Sequence, residues 1–95
     1  MKIYQLTISE NYEREDLVTI NRVSIFNKIK DNYDKTIDED FRIYLSIWED
    51  EKILGDHDVT FLIYENLQSK NPIPSGCLIN NIVDNNLEFR FTARM

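Results

Sequence analysis

The chain has 95 residues, 42% of them apolar and 12% aromatic, and 17 acidic residues against 11 basic ones give a net charge of −6. This length fits one domain spanning residues 1–95, and so high an apolar content excludes a disordered chain. A single cysteine excludes an intramolecular disulfide, and we find neither the apolar run of a signal peptide nor a stretch of about 18 apolar residues. We therefore expect a cytoplasmic protein that is not inserted in a membrane.

The first predicted element is a strand over residues 2–8. Its apolar side chains alternate and share one face: Tyr4, Leu6 and Ile8. A polar acidic loop is expected from Ser9 to Asp16. Residues 17–23 are rich in β-forming side chains but are also compatible with the approach to a helix.

A helix is predicted over residues 25–33. Its apolar positions follow the 3.6-residue period of one helical stripe: Ile25, Phe26, Ile29 and Tyr33. Ser24 is the expected N-cap, because a hydroxyl can accept a hydrogen bond from a free amide of the first turn. The stripe ends in a predicted acidic loop over residues 34–40.

Residues 41–48 show the clearest strand pattern in the chain, since apolar and polar side chains alternate with a two-residue period. Residues 49–51 are predicted to form a hairpin turn into a short return strand at 52–54. A second turn is expected at 55–58.

The second half of the chain is more ambiguous. Residues 59–64 favour a strand slightly, although Val59, Leu62, Ile63 and Leu67 also form a helical stripe. Two prolines predict a loop over residues 71–76. The end is predicted to be a hairpin, with strands at 77–83 and 87–92 and a turn at 84–86.

Together these elements predict an α+β fold, in which a small antiparallel sheet of four to six strands carries one or two helices on one face. The expected core contains Phe41, Ile43, Leu45, Ile47, Leu87, Phe89 and Phe91. The expected exposed face carries Arg42, Tyr44, Trp48, Glu88 and Arg90. A hairpin edge of such a sheet can also pair with a second copy, so a homodimer is a further expectation.

Catalytic or metal-binding chemistry has few candidates in this sequence. The only histidine, His57, lies between Asp56 and Asp58, but no second histidine exists to complete a zinc site. Cys77 opens a predicted strand, where a lone cysteine behaves as a small buried hydrophobe. We therefore expect no enzyme activity, no cofactor and no metal.

Three local motifs also fall short of a functional match. Asp50-Glu51-Lys52 resembles the D-x-K element of restriction-type nucleases, but it lies in an acidic turn and no Pro-Asp pair precedes it. The segment 31–40 does not fit a calcium loop, because Glu39 takes the place of the central glycine in a loop that starts at Asp34, and Tyr33 takes a ligand position in one that starts at Asp31. With two glycines in the chain, no phosphate-binding loop can be assembled.

The acidic residues are strongly segregated. Fourteen of the seventeen lie in residues 9–18, 31–40 and 49–58, which carry −11 while the rest of the chain carries +5. Direct nucleic-acid binding is disfavoured, because phosphate backbones reward clustered lysine and arginine. A concentrated negative field instead attracts a basic partner. The alternative is that the acidic residues only keep the domain soluble, since a net charge of −6 is ordinary for a small domain.

The sequence therefore favours a small acidic inhibitor that binds a basic protein of the kind that binds nucleic acid. Anti-CRISPR and anti-restriction proteins of phages, with surfaces that mimic nucleic acid, share this general character, as do immunity proteins of nuclease toxins. A non-catalytic homodimeric regulatory module is a further alternative, and an enzyme using His57 is the least favoured one. The residues expected to bind the partner are Asp31, Asp34, Asp38, Glu39, Asp40, Trp48, Glu49, Asp50, Glu51, Asp56 and Asp58.

Overall fold

The structure is a computed structural model and describes residues 1–86. Over these residues it confirms the predicted α+β fold, as a four-stranded antiparallel sheet, with three α-helices where one or two were predicted. The elements in chain order are β1 (Lys2–Glu10), β2 (Glu13–Thr19), α1 (Arg22–Asp31), a 3-10 helix (Tyr33–Ile37), β3 (Phe41–Glu49), β4 (Lys52–Asp58), α2 (Val59–Gln68) and α3 (Ser75–Val83). None of the described helices is long and apolar enough to cross a membrane.

The strands lie in the order β2-β1-β3-β4, so β1 and β3 are central. β1 and β3 are antiparallel, with Glu10 opposite Phe41 at one end and Lys2 opposite Glu49 at the other. This register decides which loops meet at each end of the sheet.

The core lies between the sheet and the helices. Alternate residues of β1 and β3 point into it, as the two-residue periods predict, and α1, α2 and α3 cover that face of the sheet. The buried apolar residues of the strands are Tyr4, Leu6, Ile8, Phe41, Ile43, Leu45 and Ile47. The opposite face of the sheet is not covered by any element of residues 1–86, and Arg42 and Tyr44 are exposed on it as expected.

The first predicted loop was wrong. Instead of an acidic loop over residues 9–16, β1 and β2 form a hairpin whose turn is Asn11-Tyr12. Both turn residues have positive φ, 49° and 72°, as in the turns whose twist matches a two-residue hairpin. Tyr12 is an unusual residue for this conformation, which explains why the turn was missed.

The helix predicted over residues 25–33 exists but is shifted towards the N-terminus. α1 begins at Arg22, and its N-cap is Asn21 rather than Ser24. The Asn21 side chain accepts hydrogen bonds from the backbone amides of Val23 and Ser24, at 3.0 and 3.3 Å. The segment expected to be a loop begins with the 3-10 helix, and only residues 38–40 are irregular.

The turn predicted at residues 55–58 was wrong, because β4 continues to Asp58 before the chain enters α2. The slight preference for a strand at 59–64 was wrong for a related reason. Asp58 caps the helix, since its carboxylate accepts hydrogen bonds from the Phe61 amide (3.1 Å) and the Thr60 hydroxyl (2.6 Å). The stripe that buries Val59 and Leu62 is therefore helical.

The strand predicted at 77–83 was also wrong, because this segment is helix α3. Its apolar residues fall at i, i+1, i+4 and i+5 and are all buried: Leu78, Ile79, Ile82 and Val83.

The turn at 84–86 is a helix C-cap rather than a hairpin turn. Asn85 has φ 58°, and the Asn85 and Asn86 amides donate to the Ile82 and Asn81 carbonyls, which is a Schellman motif. The strand predicted at 87–92, with Leu87, Glu88, Phe89, Arg90 and Phe91, lies outside the described residues.

Candidate partner-binding surface

Two of the three acidic stretches meet at one end of the sheet. Because β1 and β3 are antiparallel, the β1–β2 hairpin lies beside the loop that enters β3. We call this surface the acidic end and define it by five residues: Glu10, Glu13, Asp38, Glu39 and Asp40. Asp38, Glu39 and Asp40 are exposed, and together with Glu10 and Asn11 they line a cleft between the hairpin and the loop.

A second depression, the α2 groove, borders the acidic end. It has a volume of about 330 Å³ and lies between the 3-10 helix with its following loop and the start of α2. Asp38 and Glu39 line both this groove and the cleft. The other lining residues of the α2 groove are Thr36, Ile37, Arg42, Asp58, Thr60, Phe61 and Tyr64.

The negative charge of the acidic end is only partly offset. Lys35 lies 4.0 Å from the Glu10 carboxylate, at the outer limit of an ion pair, and Arg42 lines the groove beside Asp38 and Glu39. Arg14 follows Glu13 but is engaged by Asp16, at 3.1 Å. The acidic end therefore keeps an excess of negative charge that a cationic surface can neutralise.

The hairpin part of the third acidic stretch, residues 49–51, lies apart from the other two stretches. The turn at Asp50-Glu51 joins β3 to β4 at the far end of the sheet, about 26 Å from the acidic end at roughly 3.3 Å per strand residue. That separation exceeds the screening length of about 8 Å at physiological salt. Glu49 also lies opposite both Lys2 and Lys52 in the strand registers. The hairpin residues Glu49, Asp50 and Glu51 are thus not part of the acidic end.

The remaining predicted partner-binding residues are dispersed. Asp31 ends α1 and Asp34 lies in the 3-10 helix, both exposed. Asp56 lies on β4, where it accepts a hydrogen bond from the Ser46 hydroxyl at 3.1 Å. Asp58 lines the α2 groove while it caps α2.

Trp48 is half-buried and pairs in register with Ile3 and Ile53 at the far end, so it cannot serve the acidic end as an apolar anchor.

His57 does not lie in an exposed turn as predicted. It is on β4 and only 8% exposed, with its side chain on the core face, while Asp56 and Asp58 are exposed. Successive strand residues point to opposite faces, so the imidazole and the two carboxylates do not form a cluster. Nε2 of His57 lies 2.8 Å from Oδ1 of Asn85, while Nδ2 of Asn85 donates to the Leu54 carbonyl at 3.1 Å. This pattern requires a proton on Nε2, because an amide oxygen can only accept.

Cys77 also differs from its prediction, because it is exposed on α3 rather than buried in a strand. No group of three histidine, cysteine or acidic side chains within residues 1–86 is placed to hold a metal ion.

Sequence reasoning missed several residues that shape this surface. Glu10 was read as part of a loop, although it ends β1 and forms one wall of the cleft. Ile37, Phe61 and Tyr64 were not singled out, and all three line the α2 groove with exposed side chains. A signal for the last two was present, since the capping aspartate and helical stripe at residues 58–63 put positions 61 and 64 on the outer side of a helix.

The contact between α1 and α3 leads to a prediction on pH. Arg22 donates from Nε to Asp84 at 2.8 Å and from Nη2 to the Asn80 side-chain oxygen at 2.7 Å. The hydrogen bond from Arg22 lowers the pKa of Asp84 from its ordinary value of 3.8. The stabilisation of the fold by the Arg22–Asp84 pair is therefore complete at pH values above 3.8. It is lost as the pH falls through the lowered pKa of Asp84 in the folded state.

Arg22→Ala is expected to return the pKa of Asp84 to its ordinary value and to lower the free energy of unfolding by no more than about 1 kcal/mol at neutral pH, because both side chains are partly exposed to solvent. Carboxyl-carbon NMR over an acid titration, with urea unfolding at neutral and low pH, measures both effects. An unchanged Asp84 titration in the variant would contradict the assignment.

Comparison with known proteins gives no relative: no protein-family model, no curated protein and no solved structure matches this chain.

Proposed function

We propose that this protein is a non-catalytic inhibitor that binds a basic protein through its acidic end. The observation that supports this is the topology of β1 and β3, which puts Glu10 beside Asp38, Glu39 and Asp40, while Glu13 lies opposite Glu10 in the hairpin. An exposed excess of carboxylates in one place favours fast encounter with a cationic surface and disfavours nucleic acid itself. Basic surfaces of this kind are typical of proteins that bind nucleic acid.

The class of inhibitor that this surface fits is an antagonist of a nucleic-acid-binding protein, of the anti-CRISPR or anti-restriction type. Exposed carboxylates at the end of a rigid sheet occupy a basic channel in place of phosphates. An immunity protein for a nuclease toxin would use the same chemistry on one particular nuclease. The two alternatives differ in the identity of the partner and not in the surface that binds it.

The triple change Asp38→Asn, Glu39→Gln and Asp40→Asn tests this proposal. We expect it to slow association with the partner by about tenfold at low salt and to flatten the salt dependence, because charged rims act mainly on the association rate. The partner is first captured from lysates of cells that contain candidate nucleases, and its binding to each variant is then measured by surface plasmon resonance at two salt concentrations.

The matched control is Glu49→Gln, Asp50→Asn and Glu51→Gln, which removes the same charge from the far end of the sheet. We expect the control to bind nearly as the natural sequence does. If both triple variants bind with the natural affinity at low and high salt, the acidic residues only maintain solubility and the proposed function is wrong. Equal weakening in the two variants would mean that net charge matters and that the acidic end does not.

A further inference from the structure

We infer that the α2 groove is the specific recognition site of the acidic end, and that it binds a partner segment in which an arginine or lysine lies next to an apolar side chain. This inference rests on the proposed function and deepens it. The acidic end alone attracts any cation, whereas the α2 groove adds an apolar surface of defined shape beside two of the same carboxylates.

The apolar side chains of the groove are exposed to solvent. Ile37, Phe61 and Tyr64 are 77%, 38% and 63% exposed. Phe61 and Tyr64 are three positions apart on α2 and therefore lie on the same side of the helix. A cluster of large exposed apolar side chains, bordered by charge, is typical of a protein-binding surface.

The helix that presents these aromatic residues is firmly held. Val59 and Ile63 on its other side are fully buried, and Asp58 caps its first turn. At the other end of α2, the buried Asn66 side chain exchanges two hydrogen bonds of 3.0 Å with the backbone of Ile73. A surface on a rigid element binds with a smaller loss of conformational entropy.

The charged part of the groove, with three carboxylates against the single guanidinium of Arg42, selects a cation. Among residues 1–86, the carboxylates of Asp38 and Glu39 make no ion pair and no side-chain hydrogen bond, so they are free to accept hydrogen bonds from a guanidinium or an ammonium group. Asp58 adds negative charge to the groove, although its own carboxylate is engaged in capping. A cation held by Asp38 or Glu39 can also lie against the ring of Tyr64 across the groove.

A second copy of this chain is a poorer occupant of the groove. A two-fold symmetric contact places the same patch on both sides, so Asp38 and Glu39 would face like charges. The chain as a whole carries −6, which adds long-range repulsion between copies. Charge complementarity therefore favours a different, basic protein.

The test uses the full chain labelled with ¹⁵N and a short synthetic peptide of alternating arginine and leucine. Two matched peptides replace arginine by the uncharged citrulline or leucine by serine. We expect the arginine–leucine peptide to shift the amide resonances of residues 36–42 and 58–64, and each replacement to raise the Kd about tenfold, since charge and apolar contact both contribute to the hot spot.

Substitutions in the protein test whether the peptide binds in the α2 groove. Tyr64→Ser, and the pair Asp38→Asn with Glu39→Gln, are each expected to raise the Kd of the arginine–leucine peptide about tenfold. Ile53→Ser is the control, because Ile53 is also a large exposed apolar residue, 49% exposed, but lies at the far end of the sheet. It should leave the Kd unchanged.

Three results of the peptide experiment would each overturn the inference: resonance shifts confined to residues outside the groove, equal binding of the citrulline peptide, or natural affinity in Tyr64→Ser. If Tyr64→Ser has no effect while the acidic pair matters, the proposed function stands and the groove is not the recognition site. If neither Tyr64→Ser nor the acidic pair changes the Kd, both the inference and the proposed function are wrong. Sedimentation that shows a dimer dissociated by Tyr64→Ser would assign the groove to a second copy and would also overturn the inference.

Discussion

Leu45→Ala is expected to lower the free energy of unfolding by about 2–5 kcal/mol, the largest effect that we predict for a single substitution. Leu45 is fully buried in the middle of β3, with Leu6 and His57 as its register partners on the two neighbouring strands. Strands on both sides and helices above prevent the structure from collapsing into the space, so a cavity remains. Urea unfolding followed by the fluorescence of Trp48, the only tryptophan, measures the loss.

Ile53→Ala is the matched control for that measurement. Ile53 lies on the uncovered face of the sheet and is 49% exposed, so its truncation is expected to cost less than about 0.5 kcal/mol. A loss below about 0.5 kcal/mol for Leu45→Ala would mean that the buried face of β3 has been misassigned. Similar losses for the two variants would contradict the assignment of inward and outward faces along this sheet.

Gly55→Ala is expected to lower the free energy of unfolding by about 1–3 kcal/mol, because there is no room for a side chain at this position. A Cβ atom at residue 55 would lie 2.5 Å from Oδ1 of Asn85 and 2.7 Å from Nε2 of His57. The Asn85 side chain would have to withdraw, and its hydrogen bonds to His57 and to the Leu54 carbonyl would be lost. These bonds hold the C-terminal end of α3 against β4.

The chain contains its own control for Gly55. Gly76 lies near the start of α3, where a Cβ atom would meet nothing within 4 Å, so Gly76→Ala is expected to stabilise the fold by about 0.5–1 kcal/mol. Asn85→Ala tests the cause: combined with Gly55→Ala it should cost less than the sum of the two single changes, since both remove the same contacts. Additive costs, or an unaffected Gly55→Ala variant, would contradict the role given to Asn85.

The sequence alone determined the fold class and the central strands. The two-residue periods of β1 and β3 are long and regular, and they correctly predicted which side chains of these strands enter the core. The hairpin turn predicted at residues 49–51 is present as a two-residue turn at Asp50-Glu51, and both residues have positive φ, 51° and 65°. Such patterns are reliable because they have one cause: one face of the strand is buried and the other face is not.

Helices α2 and α3 were mistaken for strands because a short run of β-branched apolar residues suits either structure when it is fully buried. The hydrogen bonds at the ends of α2 and α3 distinguish these segments from strands. The Asp58 carboxylate begins α2, and Asn85, with its positive φ, ends α3. These residues also favour turns, so only the tertiary structure, which covers the sheet with both helices, distinguishes a cap from a turn.

The candidate site, like the fold, could be predicted only in part from the sequence. The sequence identified the carboxylates, since charge segregation is visible without a fold. Only the pairing of β1 with β3 decided that residues 10–13 and 38–40 share one end of the sheet while residues 49–51 lie at the other. Likewise, only the packing of α2 beside the 3-10 helix put Phe61 and Tyr64 across a groove from Asp38 and Glu39. The reason is physical: residue spacing sets local periodicity, whereas contacts between distant segments depend on how all the apolar faces are buried together.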